Sequence, residues 1–179
     1  MDLIITISGL HGTGKSTYTN VLACEFGLRH ISAGELFRQI AAEKKCSLTE
    51  LSQEAEKNDE IDYLIDERTK REIEKGKLVI DGLLAGWIAR EYTSLKIYLT
   101  TPFTIRIGRI ALRDGIDYSE AERVTVLREN IERQRFKRMY GFDISNLSIY
   151  DLVLNTSLMS VESNIEVLKS FIREYLRTQ

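Results

Sequence analysis

The sequence predicts a single α/β domain in which a parallel β-sheet is covered by helices on both faces. Short apolar runs alternate with helical patterns along the chain, and this alternation is typical of parallel sheets. With 179 residues, 43% of them hydrophobic and 29% charged, the chain is long enough for one such domain with a sizeable core. The third observation is a glycine-rich loop between the first strand and the first helix, which also indicates a function.

The first strand is predicted at 3–7 and the first helix at 18–26, and the loop between them reads Gly9-Leu10-His11-Gly12-Thr13-Gly14-Lys15-Ser16-Thr17. A strand, the pattern G-x-x-x-x-G-K-[ST] and a helix in this order define a P-loop. Its glycines let backbone N–H groups point at phosphate oxygens, and the helix N-terminus adds a partial positive charge. Lys15 is expected to reach the β- and γ-phosphates of a nucleoside triphosphate, and the Ser16 hydroxyl is expected to ligate Mg²⁺. The flanking strand and helix argue against an ordinary glycine-rich turn.

The second strand is predicted at 28–31. A turn at 32–34 follows, and the next helix is expected to begin at Glu35. Arg38 lies near the start of this helix and could bind the phosphate of an acceptor molecule. An ion pair with Glu35 or Glu43 is the competing role for its guanidinium.

The segment 41–77 differs in composition from the rest of the chain. It has eleven acidic and seven basic residues between positions 41 and 75, and it has no strand-like run. Ser47 as N-cap and Glu50 three residues later fit a capping box. We therefore predict a helical insert between two strands of the sheet.

Beyond the insert, three strands and four helices are predicted, with the bounds 78–80, 84–92, 95–99, 103–113, 119–139, 151–155 and 161–176. Thr101 is expected as the N-cap of the helix at 103–113, with Pro102 at its first position. The helix at 119–139 is long and highly charged, and we expect it to be kinked or interrupted. Ser160 is expected to cap the last helix, whose packed face is formed by the apolar residues at 161, 165, 168, 172 and 176.

The composition excludes several classes of protein. A net charge of −2 provides no global basic field for nucleic acid or an anionic membrane, and the apolar runs are too short to span a bilayer. No leader is expected at the start, since residues 1–8 are used as a strand. Cys24 and Cys46 lack the spacing of a metal or redox site, and we expect buried, reduced thiols of a cytoplasmic protein. His11 and His30 do not show the pattern of metal ligands.

Ligands of parallel sheets bind at the carboxyl ends of the strands, so the segments that follow the strands should face one cleft. These segments are the P-loop, 32–38, Asp81-Gly82 and Asn155-Thr156. Asp81 ends a buried strand, where an acid can hold Mg²⁺ through water. The alternative is that Asp81 and Gly82 form an ordinary turn.

Arginine is concentrated in one part of the chain, with eight of the fifteen between positions 106 and 138. Arg109 and Arg113 are one helical turn apart, and Arg128 and Arg135 are seven residues apart, so each pair shares a helix face. Fixed guanidinium groups stabilise the negative charge of a transferring phosphoryl group, and the P-loop favours this role for the two pairs. A solvated helix with ion pairs to interspersed glutamates is the alternative. For Arg123, Arg133 and Arg138, surface ion pairing and a role at the phosphoryl group are equally supported by the sequence.

Four further segments resemble the signatures of nucleoside monophosphate kinases, and they are 31–38, 81–82, 109–113 and 128–135. The variant is most similar to the archaeal-type cytidylate kinases, which carry Ser-Ala-Gly (32–34), Leu-Ala-Gly-Trp (84–87) and Tyr-Gly-x-Asp (140–143). The resemblance covers nearly the whole chain. It implies a three-layer P-loop fold with a five-stranded parallel sheet. It also implies transfer of the ATP γ-phosphate to CMP or dCMP, with Mg²⁺.

The resemblance implies roles for particular residues. ATP is bound by the P-loop and Arg109, and the metal is held by Ser16 and Asp81. The catalytic residues it implies are Lys15, Arg113, Arg128 and Arg135. The acceptor-binding residues it implies are Ser32, Arg38, Asp81 and Gly82. Many family members have an arginine at the position of Leu83 and a hydroxyl residue at the position of Ala33. Without the arginine, either Arg38 and another arginine bind the acceptor phosphate in this chain, or the acceptor is bound less tightly.

The implied organisation is one kinase domain with a core (1–35, 78–113 and 140–179), a monophosphate-binding insert (36–77) and a lid (114–139). The expected partners are ATP and CMP or dCMP, without nucleic acid or a membrane, and the chain is expected to be a monomer. One alternative is another monophosphate kinase, such as adenylate kinase. The other is a P-loop regulatory or nucleic-acid-binding ATPase, against which the lack of a basic patch outside the lid argues.

Overall fold

The computed structural model describes residues 3–179. Residues 1 and 2, which the sequence prediction placed in the core, lie outside the described residues. Within 3–179 the strands are β1 (Ile4–Ser8), β2 (Arg29–Ser32), β3 (Leu78–Asp81), β4 (Leu95–Thr100) and β5 (Leu152–Asn155). The helices in the same range are α1 (Lys15–Glu25), α2 (Ala33–Lys44), α3 (Leu48–Lys57), α4 (Glu60–Ile73), α5 (Ala85–Ile88), α6 (Phe103–Asp114), α7 (Tyr118–Tyr140) and α8 (Val161–Arg177).

The strands of the described chain form one parallel sheet in the order β2-β3-β1-β4-β5, which confirms the predicted fold class. The register aligns the carboxyl ends of neighbouring strands, with Asp81 opposite Ile7 on one side and opposite Ser32 on the other. The P-loop leaves the sheet from the central strand β1. Its neighbours β3 and β4 therefore place their last residues beside the loop, as expected at the switch point of an open α/β sheet.

The core of the sheet is apolar on both faces because the strands are covered by helices. The largest cluster contains Ile5 and Ile97 from the sheet, Leu22 from α1, and Leu168 and Ile172 from α8. Each of these five side chains is fully buried. At roughly 25 cal/mol for each Å² of apolar surface removed from water, such contacts supply most of the driving force for folding.

Several predicted helix boundaries differ from the structure. Ser32 is itself the N-cap of α2, so that helix begins at Ala33 rather than at Glu35. The helix predicted at 84–92 is shorter, since α5 covers only Ala85–Ile88. Pro102 occupies the N-cap position of α6, one residue later than predicted. The Thr101 hydroxyl instead donates a hydrogen bond to the carbonyl of Thr100, the last residue of β4, at 2.6 Å.

The expected interruption of α7 is not present. Tyr118–Tyr140 is one helix of 23 residues, capped by the Asp117 side chain, which accepts a hydrogen bond from the Glu120 N–H. Its charges did not interrupt it because Glu129 and Arg135, among others, are buried in contacts with other elements. Packing against α3 and α6 stabilises the helix along its length.

Two surface predictions also need correction. Cys24 is exposed and Cys46 is half-buried, so the expected buried thiols are not present at these positions, although both cysteines are free. The predicted stripe of α8 is buried only in its middle, since Val161 and Leu176 are exposed. The Ser160 cap is present, with its side chain accepting a hydrogen bond from the Ser163 N–H. No helix within 3–179 combines the length and the apolar character that crossing a membrane requires.

Candidate active site

The P-loop has a backbone conformation that only glycine adopts easily. Gly12 has φ of 80° and Gly14 has φ of 90°, both in the left-handed region. A Cβ on Gly12 would lie 2.6 Å from the carbonyl oxygen of Arg106. Gly14 is also the N-cap of α1, so the loop brings its own N–H groups and the N-terminus of α1 to the same place. This arrangement is a binding site for phosphate groups.

Lys15, the first residue of α1, points back over the loop. Its ammonium donates hydrogen bonds to the carbonyls of Gly9 (2.8 Å) and Leu10 (3.0 Å). Burial lowers the pKa of Lys15 to about 8, although the nearby Asp81 carboxylate opposes the shift. The loop therefore holds a desolvated cation, whose charge acts more strongly on a phosphate than it would in water.

Asp81 and Ser16 lie together at the base of the cleft. The Ser16 hydroxyl donates a hydrogen bond to Asp81 Oδ2 at 2.7 Å. Asp81 is 1% exposed, and its Oδ1 has no hydrogen-bond partner within residues 3–179, with His30 Nε2 at 3.6 Å. Burial alone would raise the pKa of Asp81, but the nearby His30 and Ser32 side chains and the hydrogen bond from Ser16 lower it below its usual value. A charged carboxylate with a free oxygen beside a hydroxyl is a donor set that fits Mg²⁺.

Among the described residues, the cleft above the P-loop is lined by five cationic side chains, which are Lys15, Arg38, Arg109, Arg113 and Arg128. Ser32, Asp81 and Gly82 line the same cleft, whose volume is about 660 Å³. The structure therefore brings together almost all of the residues that the sequence and the resemblance singled out. A cleft with this excess of positive charge is suited to a polyphosphate.

The cationic side chains are held in different ways. Arg109 donates to the carbonyls of Gly12 and Thr156 at 3.4 Å, beneath the P-loop. Arg113 forms an ion pair with the adjacent Asp114 at 2.7 Å. The Arg38 guanidinium has no carboxylate within ion-pair distance in the part of the chain that is described, so the predicted competing pairs with glutamate are not formed. Burial and the neighbouring arginines lower the pKa of Arg38. This direction of shift is expected for a guanidinium that has no anion beside it.

A buried network joins the P-loop to α7, and the sequence did not indicate it. His11 Nε2 lies 2.7 Å from Glu132 Oε2, and Arg128 Nε lies 2.9 Å from Glu132 Oε1. Burial would raise the pKa of Glu132, but His11 and Arg128 lower it well below its usual range. Burial also lowers the pKa of His11. His11 is therefore a structural link between the P-loop and the long helix.

Two threonines brace the P-loop from below. The Thr156 hydroxyl donates to the carbonyl of Thr13 at 3.1 Å and lies 2.7 Å from the Thr101 hydroxyl. Thr156 is 1% exposed. It therefore supports the loop from the end of β5, whereas the sequence placed it on the wall of the cleft.

The remaining arginines have contacts of other kinds. Arg106 is buried, pairs with Glu129 at 2.6 Å and donates to the His11 carbonyl, so it holds α6, α7 and the P-loop together. Arg123 and Arg133 are exposed, and Arg123 pairs with Glu120 on the surface of α7. Arg138, also exposed, pairs with Asp59.

Arg135 lies apart from the other predicted catalytic residues. It is 2% exposed, and its Nε is 3.0 Å from Asp62 Oδ2 on α4. It lines a second cavity, of about 90 Å³, rather than the P-loop cleft. Four residues line both spaces, so the two adjoin, and these residues are His11, Gly34, Leu83 and Arg128.

The fold and the site define a class of protein: a P-loop protein with a phosphate-binding cleft and an adjoining, largely apolar cavity. The chain belongs to the cytidylate kinase-like family, whose sequence model matches residues 4–158. The resemblance inferred from the sequence motifs is thereby confirmed.

Curated relatives match over nearly the whole chain. A cytidylate kinase of Staphylothermus marinus is 45% identical over 175 residues, which are 98% of this chain and 99% of the relative. A cytidylate kinase of Ignicoccus hospitalis is 45% identical and covers 94% of this chain and 98% of its own length. A cytidylate kinase of Pyrococcus horikoshii is 43% identical, with 95% and 88% covered.

Solved structures share the fold at low identity. An uncharacterized protein from Eubacterium ventriosum superposes with a TM-score of 0.69 at 18% identity, covering 96% of this chain and 98% of the other. A shikimate kinase from Bacteroides thetaiotaomicron has a TM-score of 0.61 at 17% identity, with the same coverage. At such identities these structures establish the fold alone.

Proposed function

We propose that this protein is a nucleoside monophosphate kinase that transfers the γ-phosphate of ATP to CMP and dCMP. The observation that carries the proposal is the pairing of a P-loop cleft with an adjoining cavity in a chain related over its whole length to curated cytidylate kinases. The cleft has room and charge for the phosphates of both nucleotides. The cavity can take the base of the acceptor.

In the proposed reaction an oxygen of the CMP phosphate attacks the γ-phosphorus of ATP, and the bond from that phosphorus to the β,γ-bridging oxygen breaks. The P-loop and Arg109 hold the ATP phosphates, and Lys15 lies over the loop where β- and γ-oxygens are expected. Arg113 and Arg128 line the same cleft and can balance the charge of the transferring group. Catalysis then depends mainly on positioning and on these fixed charges.

Ser16 and Asp81 are the residues that would hold Mg²⁺, and the ion would neutralise charge on the β- and γ-phosphates. Arg38 is assigned to the acceptor phosphate because it lines the cleft without a carboxylate partner among residues 3–179. Ser32 and Gly82 form the wall beside it. The Ser32 hydroxyl already accepts the Glu35 N–H at 3.2 Å, which leaves its proton and its second lone pair available to the acceptor.

The proposal includes the division into a core, a monophosphate-binding insert (36–77) and a lid (114–139). Closure of the last two over bound nucleotides would keep water from the γ-phosphate. The chain is proposed to act as a monomer because one copy supplies both the cleft and the cavity. A cytoplasmic location follows from the substrates, since ATP and CMP are found together there.

The test is a transfer assay with purified protein, Mg²⁺ and ATP, offering CMP, dCMP, UMP and AMP in turn. We expect CDP and dCDP to form fastest. Faster formation of ADP from AMP would instead identify an adenylate kinase. Turnover of ATP without any monophosphate, stimulated by added nucleic acid, would overturn the proposal in favour of a P-loop ATPase.

A further inference from the structure

A buried arginine of α6 contacts the P-loop from outside the cleft. Arg106 is 4% exposed and is not among the residues that line the cleft. Its guanidinium donates a hydrogen bond to the backbone carbonyl of His11 at 2.8 Å. The Arg106 backbone is equally close to the loop, since a Cβ on Gly12 would lie 3.0 Å from the Arg106 Cα. The P-loop is therefore packed against α6 at His11 and Gly12.

The hydrogen bond from Arg106 determines the direction of one N–H group of the loop. In a trans peptide the carbonyl and the N–H that follows it point in opposite directions. Because the His11 carbonyl is turned toward Arg106, the Gly12 N–H is turned away from α6, and Gly12 lines the cleft. The Gly12 N–H has no acceptor within residues 3–179. It is therefore available to a phosphate oxygen.

The same arrangement recurs two residues further along the loop. The Thr156 hydroxyl donates to the Thr13 carbonyl at 3.1 Å, so the Gly14 N–H is turned away from Thr156. Gly14 also lines the cleft, and its N–H has no acceptor in the described part of the chain. Two N–H donors of the cleft are thus oriented by side chains that hold the preceding carbonyls. Thr156 is neutral, whereas Arg106 brings a buried charge that needs a counter-ion.

Glu129 of α7 provides the counter-ion. Arg106 Nη1 lies 2.6 Å from Glu129 Oε1, and Nη2 lies 3.3 Å from Oε2, so the pair is bidentate and its guanidinium plane is fixed. Glu129 is 8% exposed. Burial lowers the pKa of Lys15, and the Glu129 carboxylate is close enough to oppose that shift. Without Arg106 this carboxylate would repel a polyphosphate in the cleft.

We propose that Arg106 is a positioning residue for the P-loop, which, held by Glu129, orients the His11–Gly12 peptide so that its N–H binds a phosphate of the donor nucleotide. The inference rests on the proposed function, since it takes ATP as the ligand of the loop. Arg106 contacts neither nucleotide and acts through the loop backbone. Its loss should weaken the binding of ATP and leave that of CMP nearly unchanged, because the CMP phosphate is assigned to Arg38.

Stability alone is the alternative role of the Arg106–Glu129 pair. Breaking a buried ion pair between α6 and α7 by removing one partner would destabilise the protein whatever the pair does at the P-loop. The two roles differ in what they predict for the two nucleotides. A purely structural pair should affect the binding of ATP and CMP equally, or should affect neither.

The decisive experiment is the double variant Arg106→Met/Glu129→Met. It removes both buried charges together, and apolar side chains of similar length often replace a buried ion pair without loss of stability. The probes are ATP with Mg²⁺ and, separately, CMP, in calorimetric titrations. We expect the dissociation constant of ATP to rise about tenfold, as for a lost hydrogen bond to a charged group, and that of CMP to change by less than about twofold. In steady-state assays the KM for ATP should rise more than kcat falls.

Glu129→Gln is the matched comparison within the same pair. It keeps the Arg106 guanidinium, and the amide oxygen can still accept a hydrogen bond from it. The dissociation constant of ATP should therefore rise less than in the double variant. Arg123→Met/Glu120→Met removes an exposed ion pair of α7 and should leave the binding of both nucleotides unchanged.

Equal losses for ATP and CMP, or unchanged affinity for ATP in the folded double variant, would overturn the inference. If a thermal melt shows that the double variant does not fold, Arg106→Lys decides. It keeps the charge beside Glu129, but one ammonium replaces the bidentate fork, so ATP should bind at least about threefold more weakly and CMP as before. Unchanged affinity of Arg106→Lys for ATP would then overturn the inference.

The titrations separate this inference from the proposed function, because they measure binding without turnover. If wild-type protein binds ATP but transfers phosphate to no monophosphate, the proposed function fails, and a selective loss of ATP binding in the variants still supports the role of Arg106. If wild-type protein does not bind ATP, both fail.

Discussion

The P-loop cleft and the second cavity are formed by different kinds of groups. The cleft uses backbone N–H groups, a short contiguous motif and cationic side chains at the ends of parallel strands. The cavity uses side chains from α2, α4 and α7, with aromatic walls and buried carboxylates. Under the proposed function, the first site binds phosphate groups, which are common to all nucleotides, whereas the second would distinguish one base from another. If that assignment is correct, affinity for phosphate and choice of base depend on different residues and can be changed separately.

The two regions meet at His11, Glu132 and Arg128, which form one buried network. Substitutions in this network should therefore affect both regions, while substitutions on either side of it should affect one. The predictions below follow that logic.

The largest effect is expected for Glu132→Gln. Glu132 is 4% exposed and is the only carboxylate within the described chain that contacts both His11 and Arg128. Its neutralisation leaves the Arg128 guanidinium without a charged partner in a buried site, so the free energy of unfolding should fall by about 3–5 kcal/mol. Urea denaturation measures the loss.

Glu120→Gln is the control for that measurement. Glu120 pairs with Arg123 on the same helix, but the pair is exposed, and such pairs contribute little to stability. Its denaturation midpoint should match that of the wild type. Equal midpoints for the Glu120 and Glu132 variants would show that the buried network does not join the two regions.

Lys15→Ala should disable the cleft alone. The ammonium contacts only loop carbonyls at hydrogen-bond distance, so its removal should leave the melting temperature nearly unchanged. Loss of a fixed charge at the transferring group should lower kcat by about 100-fold or more. The exposed Lys57→Ala serves as control, and near-normal kcat in Lys15→Ala would contradict the assignment of the P-loop.

Arg38→Ala tests the junction between phosphate and base. We expect a raised KM for CMP, a nearly unchanged KM for ATP, and a loss of about 2–3 kcal/mol in kcat/KM, as for a charge-assisted hydrogen bond. Arg38→Lys should recover only part of this, because the bidentate geometry is lost. Unchanged binding of CMP to Arg38→Ala would place the acceptor phosphate elsewhere.

Leu83→Arg is the converse of that experiment. Leu83 lines both the cleft and the cavity, so an arginine there can reach the acceptor phosphate. We expect a lower KM for CMP, in both the wild-type background and Arg38→Ala. Leu83 also packs in the apolar cluster around Leu84 and Phe136, so a thermal melt should show some loss of stability.

The smallest effect is a pH dependence that belongs to the cleft. Burial lowers the pKa of Lys15 to about 8, so in the free protein its charge is present below that pH and is lost as the pH rises through it. The value of kcat/KM for ATP should fall above pH 8, whereas an ordinary lysine with a pKa of about 10.4 would hold it to higher pH. Lys15→Arg, whose guanidinium stays charged, should show no such fall. A flat wild-type profile up to pH 10 would contradict the prediction.

Local signals account for what could be predicted. The P-loop was recognisable because its glycines, Lys15 and Ser16 are contiguous and lie between a strand and a helix. The capping box of Ser47 and Glu50 was predicted for the same reason, and both of its hydrogen bonds are present. The Ser16–Asp81 contact was expected because parallel strands align their carboxyl ends.

Other features depended on which surfaces of the chain meet. Cys24 was expected inside, but its side chain is exposed on α1. Threonine is a common N-cap residue, yet the Thr101 hydroxyl is hydrogen-bonded to Thr100 and Thr156, which lie at the ends of β4 and β5. Helical spacing predicted that Arg128 and Arg135 lie on the same face of α7. In the structure Arg128 lines the P-loop cleft, whereas Arg135 contacts Asp62 of α4.

The amino-acid sequence was sufficient to specify the fold, the phosphate-binding loop and the strand ends that surround it, because each depends on neighbours in the chain or on strand order. The tertiary structure decided the network of His11 with Glu132, which are 121 positions apart, and the cavity formed by Asp62 and Arg135. Those contacts exist only when α4 and the P-loop pack against α7. That packing, which no short pattern encodes, also shifts two pKa values: burial lowers the pKa of Lys15, and the neighbouring His11 and Arg128 lower the pKa of Glu132.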